Sequence, residues 1–187
     1  KADGLAAGKG VVICASHAEA EAVAHDMLSG AMLAGAGSRV VLEECLSGPE
    51  VSLLTFCDGT HAVPMPLARD YKRLLDGDEG PNTGGMGSVS PVPGCDAELA
   101  DELLRTCVQP VLAEMARRGA PFRGVLFTGI MLTGDGPRVL EYNARFGDPE
   151  TQSLMPRLQS DLYEVLYATA TGDLAGVQPT WAKGTTC

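Results

Sequence analysis

Arg138 to Tyr142 is an apolar, strand-like run, and Asn143 follows it, so Glu141 and Asn143 point to the same face by the two-residue strand period. A carboxylate and an amide oxygen so placed can coordinate a hard cation. Magnesium (or manganese) held with a nucleotide needs no more from a protein than this, because phosphate oxygens and water complete its shell. A solvent-facing polar pair is the competing reading. Arg145-Phe146-Gly147-Asp148-Pro149-Glu150 comes next, with Asp148 expected as the N-cap and Pro149 as the first residue of a short helix. That turn would fix Arg145 beside the cation, where a guanidinium can grip a carboxylate or offset charge on a phosphoryl group in transfer. A structural salt bridge is its alternative role.

Two further tracts carry charge beside glycine. Asp70-Tyr71-Lys72-Arg73 is followed by Gly80-Pro81-Asn82-Thr83-Gly84-Gly85-Met86-Gly87, and folded domains seldom keep so flexible a connector without using it. A small anionic molecule suits it, as does a plain solvated charge cluster beside a linker. At the start, Lys1-Ala2-Asp3-Gly4-Leu5-Ala6-Ala7-Gly8-Lys9-Gly10 brackets a glycine loop with two lysines, and backbone N–H groups freed of Cβ hindrance suit phosphate. It is not a Walker loop, because Gly4 and Gly8 stand one residue too close and Gly10 replaces the magnesium-holding Ser or Thr. Glu43-Glu44-Cys45-Leu46-Ser47-Gly48-Pro49-Glu50 places acids and a turn at an expected junction of subdomains, a favoured place for ligands. Its backbone can bond adenine and Glu50 can accept from ribose hydroxyls, although a lone acid there also reads as a solvated charge.

The elements needed to position these groups are legible in outline. Val11 to Cys14 reads as a strand, Ser16-x-x-Glu19 as a capping box opening a helix that stops near Gly30, and Arg39 to Glu44 as the next strand. Val51 to Phe56 and His61 to Pro66 form a hairpin about Asp58-Gly59, while Asp76 to Gly94 is too rich in glycine and proline for regular structure. Asp96 caps a long helix ending at Arg117-Arg118-Gly119, with Pro110 expected to kink it. Gly124 to Leu132 and Arg138 to Tyr142 make a second hairpin, and a last helix runs from Ser160 to about Thr171.

Composition bounds the alternatives. With 45% hydrophobic and 20% charged residues over 187, the chain can bury a core and is not a disordered tract. A net charge of -10 argues against general nucleic-acid binding, which needs a surplus of basic side chains on one face. Six cysteines include no Cys-x-x-Cys pair and the three histidines add no zinc pattern, so reduced thiols are expected. No apolar run reaches the roughly 20 residues of a membrane span and no secretory leader is legible, which makes a cytoplasmic location the expectation. The abrupt ends suggest a piece of a longer chain.

Together these stretches resemble the ATP-grasp ligases, and within them the glycinamide ribonucleotide synthetase family. The resemblance rests on Lys1 to Val11, Gly80 to Gly87, and Arg145-Phe146-Gly147-Asp148-Pro149-Glu150-Thr151-Gln152, and it extends to about Trp181. It implies an α+β ATP-grasp fold with two α/β subdomains enclosing a nucleotide cleft. Residues 1–47 would be part of the small lid and 48–187 the large subdomain.

By the same resemblance Lys1, Gly8, Lys9 and Gly10 face ATP phosphates, and Glu43, Glu44, Leu46 and Glu50 face adenine and ribose. Glu141 and Asn143 hold the metal, and Asp70, Lys72, Arg145 and Asp148 surround glycine and 5-phosphoribosylamine. The implied reaction passes through glycyl phosphate, without nucleic acid or membrane as partner. Tyr71 stands where the family commonly has His, and Ala144 where it commonly has Cys; neither removes a proposed ligand. The family's flanking N- and C-terminal domains are not seen, so the piece alone is expected to be inactive or only to bind nucleotide. Another ATP-grasp carboxylate–amine ligase is the alternative activity.

Overall fold

The computed structural model describes residues 1–4, 10–32, 37–77 and 79–187, the side chains of Pro81 and Asn82 excepted. The chain divides into two units, Lys1–Leu46 and Ser47–Cys187. The first is built around helix α1 (His17–Leu28), whose N-cap Ser16 accepts from the Glu19 N–H at 3.2 Å. Glu19 reaches back to the Ala15 N–H at 2.8 Å, one residue before the cap, so the Ser-x-x-Glu signature does its expected work with a small offset.

The strands expected at 11–14 and 39–44 do not form. Residues 39–41 pair with 1–3 through a single bridge, Ala2 with Val40, plus the bonds Asp3 N–H to Arg39 O at 3.0 Å and Val41 N–H to Lys1 O at 2.7 Å. A short apolar run alone does not make a strand without a partner ladder and a face to bury, and here Ile13 and Leu42 stay 61% and 77% exposed.

The second unit is a four-stranded antiparallel sheet in the order β2-β1-β7-β8, covered on both faces. Its strands are β1 (Glu50–Asp58), β2 (Ala62–Pro64), β7 (Arg123–Thr133) and β8 (Gly136–Asn143), the two hairpins expected from the sequence. Alternation along β1 and β7 splits the core in two. Val51, Leu53, Cys57, Leu126 and Ile130 pack with Leu103, Val108 and Leu112 on one face. Leu54, Phe56, Val125 and Phe127 pack with Leu154, Val165 and Leu174 on the other. Burial on both faces explains why β1 is almost continuously apolar, each large side chain contributing about 1.5–3 kcal/mol.

The first face is covered by one long helical run. Asp96 caps α2 (Ala97–Leu103), a π turn follows (Leu104–Val108), and α3 (Gln109–Arg117) ends before Gly119, whose φ is 74°. The irregularity expected at Pro110 is therefore a widened turn just before it, where the Gln109 N–H reaches Leu104 O. Pro110 has no N–H for the carbonyl four residues back, so a regular α-turn had a bond missing there in any case.

The second face carries α4 (Glu150–Leu154), a 3₁₀ turn (Met155–Arg157) and α5 (Leu162–Thr171). The last helix begins at Leu162 rather than Ser160, because Asp161 is its cap and Ser160 accepts from the Thr180 N–H at 2.8 Å. The tract 76–94, expected to be irregular, contains short pairings. β4 (Arg73–Leu75) pairs with β5 (Glu79–Asn82), and β3 (Arg69–Asp70) pairs with β6 (Ser88–Val89). Glycines at positive φ, Gly77 and Gly80 among them, make turns tight enough for such short ladders. Among the described residues no helix is long and apolar enough to cross a membrane.

Candidate functional site

Three tracts singled out in the sequence meet at one end of the sheet in the second unit. The charged tract and the glycine tract are bonded side by side: Tyr71 N–H donates to Gly87 O at 3.0 Å, Met86 N–H to Tyr71 O at 2.8 Å, and Thr83 N–H to Lys72 O at 2.7 Å. The third tract, at 145–152, joins through Ser88, whose Oγ lies 2.8 Å from Pro149 O and also 2.8 Å from the Oγ of Ser153, just past the tract. Gly85 fits between the other two because it lacks a side chain. A Cβ there would meet Pro149 Cδ at 2.6 Å and Asp70 Oδ1 at 3.0 Å, and its φ of 121° is one that L residues rarely adopt.

The charges concentrated here are mostly negative. Lys72 Nζ donates to Glu50 Oε2 at 2.7 Å. Burial works against the charged ammonium, but Glu50 at hydrogen-bond distance, with Asp70 and Glu141 nearby, outweighs it and holds the Lys72 pKa above the ordinary lysine value. Asp70 goes the opposite way. Burial, then the field of Glu150, push its carboxyl up to about 6, with Glu50 and Asp148 adding and Lys72 opposing. Its Oδ1 is buried without a hydrogen-bond partner among the described residues, an expensive arrangement for a group that no ligand engages.

Asp70 should therefore leave a pH signature in stability. Its folded pKa of about 6 lies above the reference 3.8, so the native state holds the proton more tightly than the unfolded chain. Stability then falls as pH rises from about 4 through about 6 and stays lowered above that. Asp70→Asn is expected to recover about 1–2 kcal/mol at pH 7.5, after allowance for solvent screening, and almost nothing at pH 4. Thermal unfolding at the two pH values checks this; an equal gain at both would contradict the assignment.

Sequence reading missed two members of the cluster, Ser52 and Glu150. Glu150 is 2% exposed, and its Oε1 accepts from Ser52 Oγ at 2.8 Å. Ser52 could have been noticed as one of two hydroxyls, with Thr55, inside a mostly apolar strand. Glu150 also explains Gly147, since a Cβ at 147 would run into its Oε2.

Glu141 and Asn143 lie on β8 opposite Gly129 and Phe127. An irregularity in the β7–β8 ladder leaves Leu140 as an extra residue between Val139, opposite Ile130, and Glu141, opposite Gly129. That slip turns Glu141 and Asn143 to the face shared by Ser52 and Phe127. Gly129 leaves the space over the strand to Glu141, whose Oε1 accepts from Asn143 Nδ2 at 3.3 Å. Among the described residues no group of three or more His, Cys, Asp or Glu is arranged for a metal. A carboxylate with an adjacent amide nevertheless fits a magnesium ion that takes its remaining ligands from phosphate and water.

The signature turn departs from expectation. Pro149, not Asp148, occupies the N-cap of α4, and the Asp148–Pro149 peptide is cis. Asp148 Oδ1 instead accepts from Gln152 Nε2 at 2.8 Å, while the Gly147 carbonyl takes the Thr151 N–H at 3.3 Å and also the Thr151 hydroxyl. Phe146 anchors the turn edge-on to Phe56, ring centroids 6.4 Å apart. Arg145 is exposed and donates to Phe146 O at 2.7 Å, with no ion pair among the described residues.

In the first unit, Lys1 Nζ pairs with Glu43 Oε1 at 3.2 Å and Gly10 O accepts from the Ala2 N–H at 2.8 Å. Glu44 is exposed and Leu46 half-buried. Gly8 and Lys9, named with them as phosphate contacts, lie outside the described residues.

Compared with known proteins, the chain has the ATP-grasp fold: a phosphoribosylamine–glycine ligase from Thermotoga maritima matches with a TM-score of 0.79 at 36% identity, over 99% of this chain and 46% of that one. Residues 1–151 match the phosphoribosylglycinamide synthetase ATP-grasp (A) domain, and the chain belongs to that family. A phosphoribosylamine–glycine ligase of Xylella fastidiosa is 52% identical over 97% of this chain, which spans 42% of that protein. The trifunctional purine biosynthetic protein adenosine-3 of Gallus gallus is 50% identical over 97% of this chain, here 18% of its length.

Proposed function

We propose that the full-length protein joins glycine to 5-phosphoribosylamine at the expense of ATP, in purine biosynthesis in the cytoplasm. In this reading ATP phosphorylates the glycine carboxylate, the amine of phosphoribosylamine attacks the resulting glycyl phosphate, and glycinamide ribonucleotide, ADP and phosphate leave. The observation that carries it is the meeting of Asp70, Lys72 and the Gly80–Gly87 tract with the signature turn in one acid-rich cluster. About half of all positions are identical to ligases named for these two substrates, which supports the same choice.

Each group then has a role. Ionised Asp70, with its unpartnered oxygen, accepts from a substrate amine, and Lys72 with Arg145 grips carboxylate or phosphoryl oxygens. Asp148 positions Gln152 and faces the same substrates. Glu50 keeps one oxygen free of its Lys72 bond for a ribose hydroxyl. Lys1, Gly8, Lys9 and Gly10 serve the ATP phosphates, and Glu43, Glu44 and the backbone at Leu46 the adenine. Residues 1–47 belong to the small subdomain and 48–187 to the large one, with flanking domains of the same protein completing the enzyme. Glu141 and Asn143 hold magnesium or manganese, which when bound draws charge from the phosphate oxygens.

The test is ADP release by the full-length protein. Glycine with phosphoribosylamine should give ADP and glycinamide ribonucleotide in equal amounts, and neither substrate alone should do so. Turnover with a different acid and amine, but none with this pair, would replace the substrate assignment while leaving the fold untouched.

A further inference from the structure

The candidate metal ligands sit on β8, which among the described residues is an edge strand paired only with β7, and their direction depends on the one-residue slip at Leu140. A bulged edge strand is held weakly by its ladder alone, since one side of its backbone pairs with nothing in the sheet. The residue between the two ligands makes a further attachment. Tyr142 lies opposite Thr128, facing the core opposite to that of Glu141 and Asn143, and its hydroxyl donates to Cys107 O at 2.6 Å. Cys107 belongs to the π turn that precedes Pro110 and is itself 5% exposed.

We propose that Tyr142 is a positioning residue for the Glu141–Asn143 pair, pinning the bulged edge strand to the π turn so that both side chains stay together on one face. The inference rests on the reading of Glu141 and Asn143 as metal ligands and goes beyond it by naming what aligns them. The widened turn thereby acquires a role: it carries the carbonyl that receives the tether, and a straight helix would present a different set of atoms to β8. Removing only the tyrosine oxygen leaves the ring's packing in place and frees the strand to sample other aims, which weakens metal binding more than it weakens the fold.

The experiment uses the full-length protein as wild type, Tyr142→Phe and Glu141→Ala. Mn2+ is titrated in the presence of ADP, with bound ion read from loss of its free-ion paramagnetic resonance signal, and the KM for glycine is measured at saturating metal. Tyr142→Phe is expected to weaken Mn2+ binding about 10-fold, as loss of an outer support does at metal sites, while the KM for glycine stays within about twofold. Unchanged Mn2+ binding in Tyr142→Phe, alongside weakened binding in Glu141→Ala, overturns the tether and leaves the ligand assignment standing, whatever happens to the melting temperature. Unchanged binding in Glu141→Ala overturns both. Equal losses of metal binding and glycine KM in Tyr142→Phe would mark a general loosening of the fold and also overturn the proposal.

Discussion

Glu141→Ala is expected to lower ligase turnover of the full-length protein at least about 100-fold, equivalent to roughly 2.7 kcal/mol of lost transition-state stabilisation. Glu141 is the only carboxylate of the proposed metal pair, and Asn143 cannot replace it, because an amide oxygen carries no net charge to offset the cation. The side chain is exposed and packs over Gly129, so truncation costs little in folding. Melting temperature should stay within about 2 °C of wild type, within the range of ordinary surface substitutions. Steady-state kinetics at several Mg2+ concentrations separates this from a folding defect. Full turnover in the mutant at limiting as well as saturating Mg2+ would remove Glu141 from the site.

The largest stability effect is expected at a residue with no part in the proposed chemistry. Asp58 is 1% exposed at the end of β1 and accepts four bonds: Thr60 N–H at 2.8 Å, His61 N–H at 2.6 Å and Leu174 N–H at 2.9 Å, with His61 Nδ1 3.1 Å away. These close the β1–β2 hairpin and tie it to the segment after α5. Burial raises the carboxyl's pKa, but the donors outweigh it and hold the group far below its ordinary value.

The folded pKa is depressed, so the stabilisation is complete above the reference 3.8 and is lost as pH falls below it. Asp58→Ala leaves the buried Leu174 N–H and the part-buried Thr60 and His61 N–H groups without their acceptor and should cost about 2–4 kcal/mol. For a chain of this size that is a fall in melting temperature of roughly 10 °C, checked by calorimetry at pH 7. A loss below about 1 kcal/mol would mean that water replaces the carboxylate at no great cost.

Much of this was legible because it depends on local patterns. Both hairpins of the second unit, the Ser16 and Asp96 caps and the helix stop at Gly119 follow from periodicity and end signals that act over a few residues. The strands expected at 11–14 and 39–44 failed because a ladder needs a partner supplied from elsewhere, which no local window contains. The Asp148 cap failed for a different reason: the Gly147 carbonyl takes the Thr151 N–H and the Gln152 side-chain amide takes the Asp148 carboxylate, so the cap's donor and acceptor are both engaged elsewhere in the turn.

At the candidate site, residue types were readable while their company was not. Glu141 and Asn143 share a face by strand period, yet which face they share was set by the slip at Leu140. The closeness of Asp70 to Glu150, and the bond from Ser52, join positions 80 and 98 residues apart, and only folding brings them together.

The buried Glu150 ties two letters of the signature into one choice. With the carboxylate where it is, a Cβ at 147 would meet Glu150 Oε2, so any larger residue there has to shift that side chain, and a library that randomises 147 alone should return mainly the parental residue. Diversity at 147 opens when 150 is shortened in the same clone, and Ser52 then loses the acceptor for its hydroxyl. Any engineer seeking new substrates through this turn does best to move these positions as a set, because a single change at 147 pushes against a carboxylate that Ser52 already holds.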